Sequence, residues 1–217
     1  MSNQMLVIFG AGGHAVSVAN VARSAGFTIR NFIDKYKKNS NLLGVNIVDD
    51  TTELADLAQF CFGIAVGDNT LRERIYNELT AQHPHLNFPP LVHTSAVISD
   101  FASIGEGTVI MPGTVIGPNS TVGRFCILNT QAAIDHDCSM SDFSSLGPRA
   151  VTGGRVSIGR CSAICIGAVV KNGIKVGDNS VIGANSYLNK NLPINTVAYG
   201  TPAKAIRSRN VGDPCPE

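Results

Sequence analysis

The residues best equipped for chemistry lie in the stretch Asn129-Thr130-Gln131-Ala132-Ala133-Ile134-Asp135-His136-Asp137-Cys138. An imidazole exchanges its proton near neutral pH, and an adjoining carboxylate can fix its tautomer and stabilise its charged form. His136 with Asp137 is therefore a candidate general base with its orienting acid; the same pair also reads as an exposed histidine beside an aspartate, and residue types alone do not separate the two. Gly153-Gly154 is a second candidate. A glycine pair can leave a backbone N–H open, and such a donor can hold negative charge developing on a carbonyl oxygen; the alternative is a local distortion without a role. The third is Gly10-Ala11-Gly12-Gly13-His14-Ala15, which follows the apolar run Met5-Leu6-Val7-Ile8-Phe9. A strand, a glycine-rich turn and a helix N-terminus in that order offer backbone N–H groups to a phosphate. Asp34, about 20 residues further on, stands where dinucleotide-binding folds carry their ribose-binding acid.

What must position His136 is a strict period of six. Counting from Val92, the positions hold Val92, Ile98, Ile104, Ile110, Ile116, Val122, Leu128, Ile134, Met140, Leu146, Thr152, Ile158, Ile164, Val170, Val176, Ile182, Leu188 and Ile194, and only Thr152 is not a large apolar residue. The phase holds throughout, and a mostly small residue follows four positions later, as in Ala132, Cys138, Ser144 and Ala150. A period of six fits neither a helix nor a long strand; it fits a short strand, a corner and a repeat. No unit can bury its aliphatic residue alone, so units must stack into a solenoid. Three sides of six residues close a triangular coil, placing residues 18 apart above one another, with strands about 4.8 Å apart. The architecture expected is a parallel β-helix. In it His136, two residues past the inward Ile134, projects near a corner, and Gly154 stacks one coil beyond it (136 + 18 = 154).

The chain ahead of the hexads reads as a truncated Rossmann-like βαβ unit. A helix follows the glycines, with Val18, Val21, Ala22 and Ala25 on one face and Gly26 as its stop. Phe27 to Ile33 reads as a second strand, Ile64 to Asn69 as a strand and loop, and Leu71 to Leu79 as a helix. Only about 85 residues are available, room for one mononucleotide half. A nucleotide-sugar site is favoured over NAD, with a purely structural turn as the remaining reading. Ala81 to Pro90 is a proline-punctuated connector in which His83 and His85 are expected to face solvent; His93 opens the first coil in a structural or corner role. The expected domains are 1–88 and 89–217.

Composition narrows the class. Across 217 residues the net charge is +1, which gives no electrostatic case for nucleic acid or an anionic membrane. No apolar run reaches the roughly 18 residues that span a bilayer. The start, MSNQMLVIFG, lacks a basic segment ahead of an apolar core, so a cytoplasmic location is expected. Cys61, Cys126, Cys138, Cys161, Cys165 and Cys215 lack the pairing of zinc sites and are expected to be reduced, mostly buried thiols.

The hexads resemble the hexapeptide acyltransferases, a resemblance that implies a left-handed coil, a trimer and an acyl-CoA site between neighbouring coils. The Gly-x-Gly-Gly-His loop, the Asn…Ile-Asp-His-Asp-Cys segment and the ending Gly200-Thr201-Pro202-Ala203-Lys204 together resemble the sugar-nucleotide acetyltransferases. These include the bacillosamine-type and perosamine-type N-acetyltransferases and the sialic-acid O-acetyltransferase group. The resemblance implies acetyl-CoA as donor and a nucleotide-linked amino sugar as acceptor, with no metal. It matches His136 to the general base, Asp137 to its acidic neighbour and Asn129 to an asparagine near the sugar. Gly154 matches the residue whose N–H faces the acetyl carbonyl, and Gly154, Ile166 and Ala184 line the coenzyme. Gly10, Gly12, Gly13 and His14 match the loop at the nucleotide, and Asp34 an acid near its base. Two positions depart: Ser145 stands where bacillosamine-type members carry a second histidine, and Lys35 where many carry a second acid.

The function expected is N-acetylation of the 4-amino group of a nucleotide-linked deoxysugar, by direct transfer. The rivals are a sugar O-acetyltransferase, which needs the same base and donor; a zinc enzyme, for which only His93 and His136 lie in the hexads; and a non-catalytic binding protein.

Overall fold

A computed structural model describes residues 4–213. β1 (Met5–Phe9), α1 (Gly13–Ser24), β2 (Thr28–Ile33), β3 (Asn41–Leu42), β4 (Val45–Val48), β5 (Cys61–Ile64) and α2 (Asn69–Gln82) build the N-terminal unit. Its sheet runs β3-β4-β2-β1-β5, parallel except for the β3–β4 hairpin. β1 from Leu6 onward and the whole of β5 are buried, as expected of parallel strands covered on both faces, while Met5 at the start of β1 is exposed. Three expectations need correction. α1 ends at Ser24, and Ala25 is exposed; its buried face is Ala15, Val18, Ala19, Val21 and Ala22. α2 extends to Gln82, with His83 at its C-cap; His83 is half-buried, with Nε2 3.2 Å from Thr51 Oγ1. The β3–β4 hairpin gave no signal, because its short strands stay half-exposed and lack an apolar alternation.

From Leu91 the chain winds a left-handed parallel β-helix. Each side of a coil is a two-residue strand whose second residue faces inward. Face I stacks Leu91–Val92, Val109–Ile110, Ile127–Leu128, Ser145–Leu146, Ala163–Ile164 and Val181–Ile182. Face II stacks Val97–Ile98, Val115–Ile116, Ala133–Ile134, Val151–Thr152, Val169–Val170 and Tyr187–Leu188. Face III stacks Ser103–Ile104, Thr121–Val122, Ser139–Met140, Ser157–Ile158 and Lys175–Val176. The register pairs residues 18 apart, as in Ile116↔Ile134. The aliphatic stack and the small residues Ala132, Ala150 and Ala168 form one core.

The corners have a common geometry. The third residue after the inward one adopts the left-handed region, as in Asn119, Phe125, Asp137 and Arg155 (φ 51 to 59°). Such backbone costs energy in a residue with a Cβ. Here the same residue's N–H bonds a carbonyl of the preceding coil, as in Asp137 N–H to Pro118 O at 3.0 Å and Arg155 N–H to His136 O at 2.9 Å.

The rhythm fails at its last step. Leu192, not Ile194, pairs with Val176 and is buried, while Ile194 is 62% exposed. Asn195 accordingly bonds Asn179 across 16 residues rather than 18. Past Pro193 the chain stays on the stack: Thr196–Gly200 pairs parallel with Val181–Ile182 on face I, as in Val181↔Val197, and Ala203–Ser208 then adds to it antiparallel.

The two units share a core. α1 packs on Leu91, Val109 and Met111. α2 lies along the corner between faces III and I, where Tyr76 meets the stacked rings of Phe125 and Phe143, 5.4 Å apart. The five described cysteines are free thiols, four buried and Cys165 half-buried; Cys215 lies outside the described residues.

Candidate active site

His136 sits at a corner between faces II and III. The strand Ala133–Ile134 delivers it, and its N–H is held by Asp135 Oδ1 at 2.7 Å. Asp137, in the left-handed conformation (φ 56°), turns its carboxylate back onto the ring, with Oδ2 2.7 Å from His136 Nδ1. Asp137 Oδ1 accepts from Asn119 Nδ2 at 3.3 Å. The bond from His136, then that from Asn119, hold the Asp137 carboxyl below the usual carboxylate range. A carboxylate at Nδ1 places the proton there and leaves Nε2 as an acceptor.

Gly154 lies one coil away, directly under the ring. A methyl group on it would come 2.4 Å from His136 Nε2, closer than any real contact, so only glycine lets the imidazole lie there. Gly154 is buried and its carbonyl accepts from Gly173 N–H at 2.9 Å. Among the described residues its own N–H has no acceptor. Buried amides are nearly always bonded, and an exception calls for a reason. This corner thus pairs a proton acceptor with an unused donor, which is what attack on a carbonyl requires.

Asn129, Ile166 and Ala184 occupy a different corner, between faces I and II, because each follows an inward residue of face I (Leu128, Ile164, Ile182) by one or two positions. Ile166 is 52% exposed, Ala184 is exposed, and Asn129 is half-buried. His136 and these residues therefore flank face II at opposite edges. The outward column of face II is apolar: Val97, Val115, Ala133, Val151, Val169 and Tyr187, with the three valines at 97, 115 and 169 between 41 and 58% exposed. The matching column of face III, Ser103, Thr121, Ser139, Ser157 and Lys175, is polar.

The glycine loop forms as its residues require. Gly10 has φ +97°, and a Cβ there would meet Ala65 O at 2.9 Å. Gly12 is the N-cap of α1, with no side-chain capping hydrogen bond. A Cβ added to Gly12 or Gly13 would meet nothing within 4 Å, so a ligand can approach this backbone. Asp34 is partly engaged by the loop itself: Oδ2 accepts from Ala11 N–H at 3.0 Å and Oδ1 from Tyr36 N–H at 3.1 Å. Burial, then the charge of Arg72, hold His14 neutral with a pKa of about 4, and its Nε2 is buried without a partner. Beside the loop a cavity of about 530 Å³ takes in Gly10, Asp34, Tyr36, Asp49, Asp50 and Arg74. The last three carried no sequence signal, because they arrive from the end of β4 and from α2, which only the packed sheet brings together. Among the described residues no cluster of His, Cys, Asp and Glu could hold a metal, and no helix is long and apolar enough to cross a membrane.

A family model described as the PglD N-terminal domain matches residues 5–79. GDP-perosamine N-acetyltransferase of Escherichia coli O157:H7 is 26% identical over 184 residues, covering 81% of each chain. The crystal structure of PerB from Caulobacter crescentus in complex with CoA and GDP-perosamine aligns with a TM-score of 0.85 at 32% identity, over 93% of this chain and 97% of that one. The acetyltransferase domain of PglB from Neisseria gonorrhoeae FA1090, in complex with acetyl coenzyme A, aligns with a TM-score of 0.88 at 31% identity, over 94% and 100%.

Proposed function

Because the chain belongs to the hexapeptide-repeat sugar-nucleotide acetyltransferases of the bacillosamine and perosamine type, we propose that it transfers the acetyl group of acetyl-CoA to the 4-amino group of a nucleotide-linked amino-deoxysugar. The single observation that carries the mechanism is the imidazole of His136 lying over Gly154, whose N–H has no acceptor. The amine nitrogen attacks the thioester carbonyl carbon while His136 Nε2 takes an amine proton. Asp137 holds Nδ1–H and stabilises the imidazolium. The carbonyl electron pair moves onto oxygen, where Gly154 N–H meets it. Collapse of the tetrahedral intermediate breaks the C–S bond, and the thiolate leaves as the thiol with the proton from His136. The transfer is direct and leaves no acyl-enzyme.

The nucleotide lies in the cavity beside Gly10, with its phosphates at Gly12 and Gly13 where α1 begins. His14, half-buried and with an unpartnered Nε2, is an acceptor or donor for the same ligand. Residues 1–88 then carry the nucleotide and residues 89–217 the coenzyme. The placement of His136 and of Asn129, Ile166 and Ala184 at opposite edges of an apolar face supports a homotrimer. A neighbour packed on face II brings one chain's His136 corner to another's Ile166 corner, and coenzyme lies in the groove between. The product is a nucleotide-linked acetamido sugar for surface-polysaccharide or glycan assembly.

The test is transfer from acetyl-CoA to GDP-, UDP- and dTDP-linked 4-amino sugars, followed by released thiol and product mass. One pair of base and sugar is expected to turn over, with kcat lower by about 10²- to 10⁴-fold in His136→Ala. Turnover of that variant at the wild-type rate would exclude His136 as the base. An alkali-labile product would identify an ester and favour hydroxyl acetylation instead.

A further inference from the structure

A buried thiol lies behind the proposed oxyanion donor. At three other corners the small residue is a hydroxyl that bridges two coils, and at a fourth the thiol of Cys126 lies 3.3 Å from Ser141 O. Ser120 Oγ donates to Asp135 O at 2.7 Å and accepts from Cys138 N–H at 3.0 Å. Thr108 does the same for Gly123 O and Cys126 N–H, at 2.7 and 3.0 Å, and Ser162 for Gly177 O and Ser180 N–H, at 2.7 and 2.9 Å. At the His136 corner the residue is Cys138, 3% exposed. Its Sγ donates to Gly153 O at 3.3 Å and accepts from Val156 N–H at 3.4 Å. The His136 carbonyl, 3.6 Å from the sulfur, already accepts from Arg155 N–H. Thr152, the one break in the aliphatic stack, places its hydroxyl 3.7 Å from the same sulfur.

The carbonyl of Gly153 and the N–H of Gly154 belong to one peptide plane and, in the trans form, point in opposite directions. Anchoring that carbonyl inward on Cys138 turns the Gly154 N–H outward, to the side where the ring of His136 lies. A Gly-Gly peptide has no side chain to hold its plane and a wide choice of conformations, so the anchor must come from outside it. Thr152, by donating to the sulfur, would keep the thiol proton directed at Gly153 O.

We propose that Cys138, backed by Thr152, is a positioning residue that orients the Gly153–Gly154 peptide so that its N–H faces the acetyl carbonyl. This rests on the reading of Gly154 N–H as the oxyanion donor. Since removal of such a donor costs about 10²- to 10³-fold in kcat and misorientation costs less, Cys138→Ala should lower kcat about tenfold with both KM values within about twofold. Cys138→Ser, which restores the bridge made by Ser120, should return kcat to within about twofold of wild type. Thr152→Val should slow the wild type and add nothing in the Cys138→Ala background. A readout independent of turnover is the infrared band of acetyl-CoA labelled with ¹³C at the thioester carbonyl. Binding should shift it down in wild type and Cys138→Ser, and less in Cys138→Ala. Wild-type kcat and band shift in Cys138→Ala would overturn the proposal, as would a Cys138→Ser variant as slow as Cys138→Ala. Absence of any shift in the wild type, with His136→Ala still impaired, would overturn the donor role of Gly154 and the proposal with it, while leaving His136 in place. Melting temperatures of all variants identify any loss due to unfolding.

Discussion

At Gly154 a missing side chain gives the His136 ring a surface to lie on. Gly154→Ala tests this. Its methyl, 2.4 Å from Nε2 in the unrelaxed structure, must push the ring away from the coenzyme side. A displacement near 1 Å costs on the order of 10²-fold in rate, so kcat should fall by about that factor in a protein that still melts as a stacked coil. Steady-state kinetics beside a melting curve would check it, and an unchanged kcat would mean that the ring's position is not set by Gly154. Both residues were legible in the sequence, His136 from its carboxylate neighbours and Gly154 from the spacing of 18. The orphaned N–H was not, since it depends on where the Gly153 carbonyl points.

Among the elements, α2 decides how the N-terminal unit is seated. Arg72, 1% exposed, spends its guanidinium on carbonyls. Nε donates to Phe125 O at 2.8 Å, Nη2 to Phe143 O at 3.0 Å, and Nη1 to Val66 O and Gly67 O at 2.9 and 3.1 Å. Burial lowers its pKa to about 10, which leaves it charged at neutral pH. It thus ties two successive coils to the loop that abuts Gly10. Arg72→Met keeps the volume and removes every donor, stranding buried carbonyls, and should cost about 3–5 kcal/mol of stability. Chemical denaturation would measure this, and a loss below about 1 kcal/mol would show that α2 is held by its apolar face alone. The sequence marked α2 as a helix but gave Arg72 no role, because an arginine in a helix normally reads as solvated surface.

For the whole molecule, face II is where neighbours should meet. Its outward column stays apolar from Val97 to Tyr187, while face III is polar. Contiguous exposed apolar surface of this kind marks an interface. Val115→Glu with Val169→Glu places two charges on it without touching His136. Light scattering should then report monomers in place of trimers, with transfer reduced by more than about 100-fold because the His136 and Ile166 corners no longer meet. Monomeric wild type, or an active double variant of unchanged mass, would remove the subunit groove from the account.

The sequence by itself determined the coil, because each hexad can hide its aliphatic residue only by stacking on the next, and that demand repeats locally. It likewise determined the strand, glycine turn and helix at the start, where backbone sterics act over a few residues. Only the tertiary structure decided that the last coil is two residues short, that β3 and β4 extend the sheet, and that Arg72 of α2 reaches the carbonyls of Phe125 and Phe143. Those outcomes turn on contacts between residues far apart in the chain, where no local periodicity reports which surfaces touch.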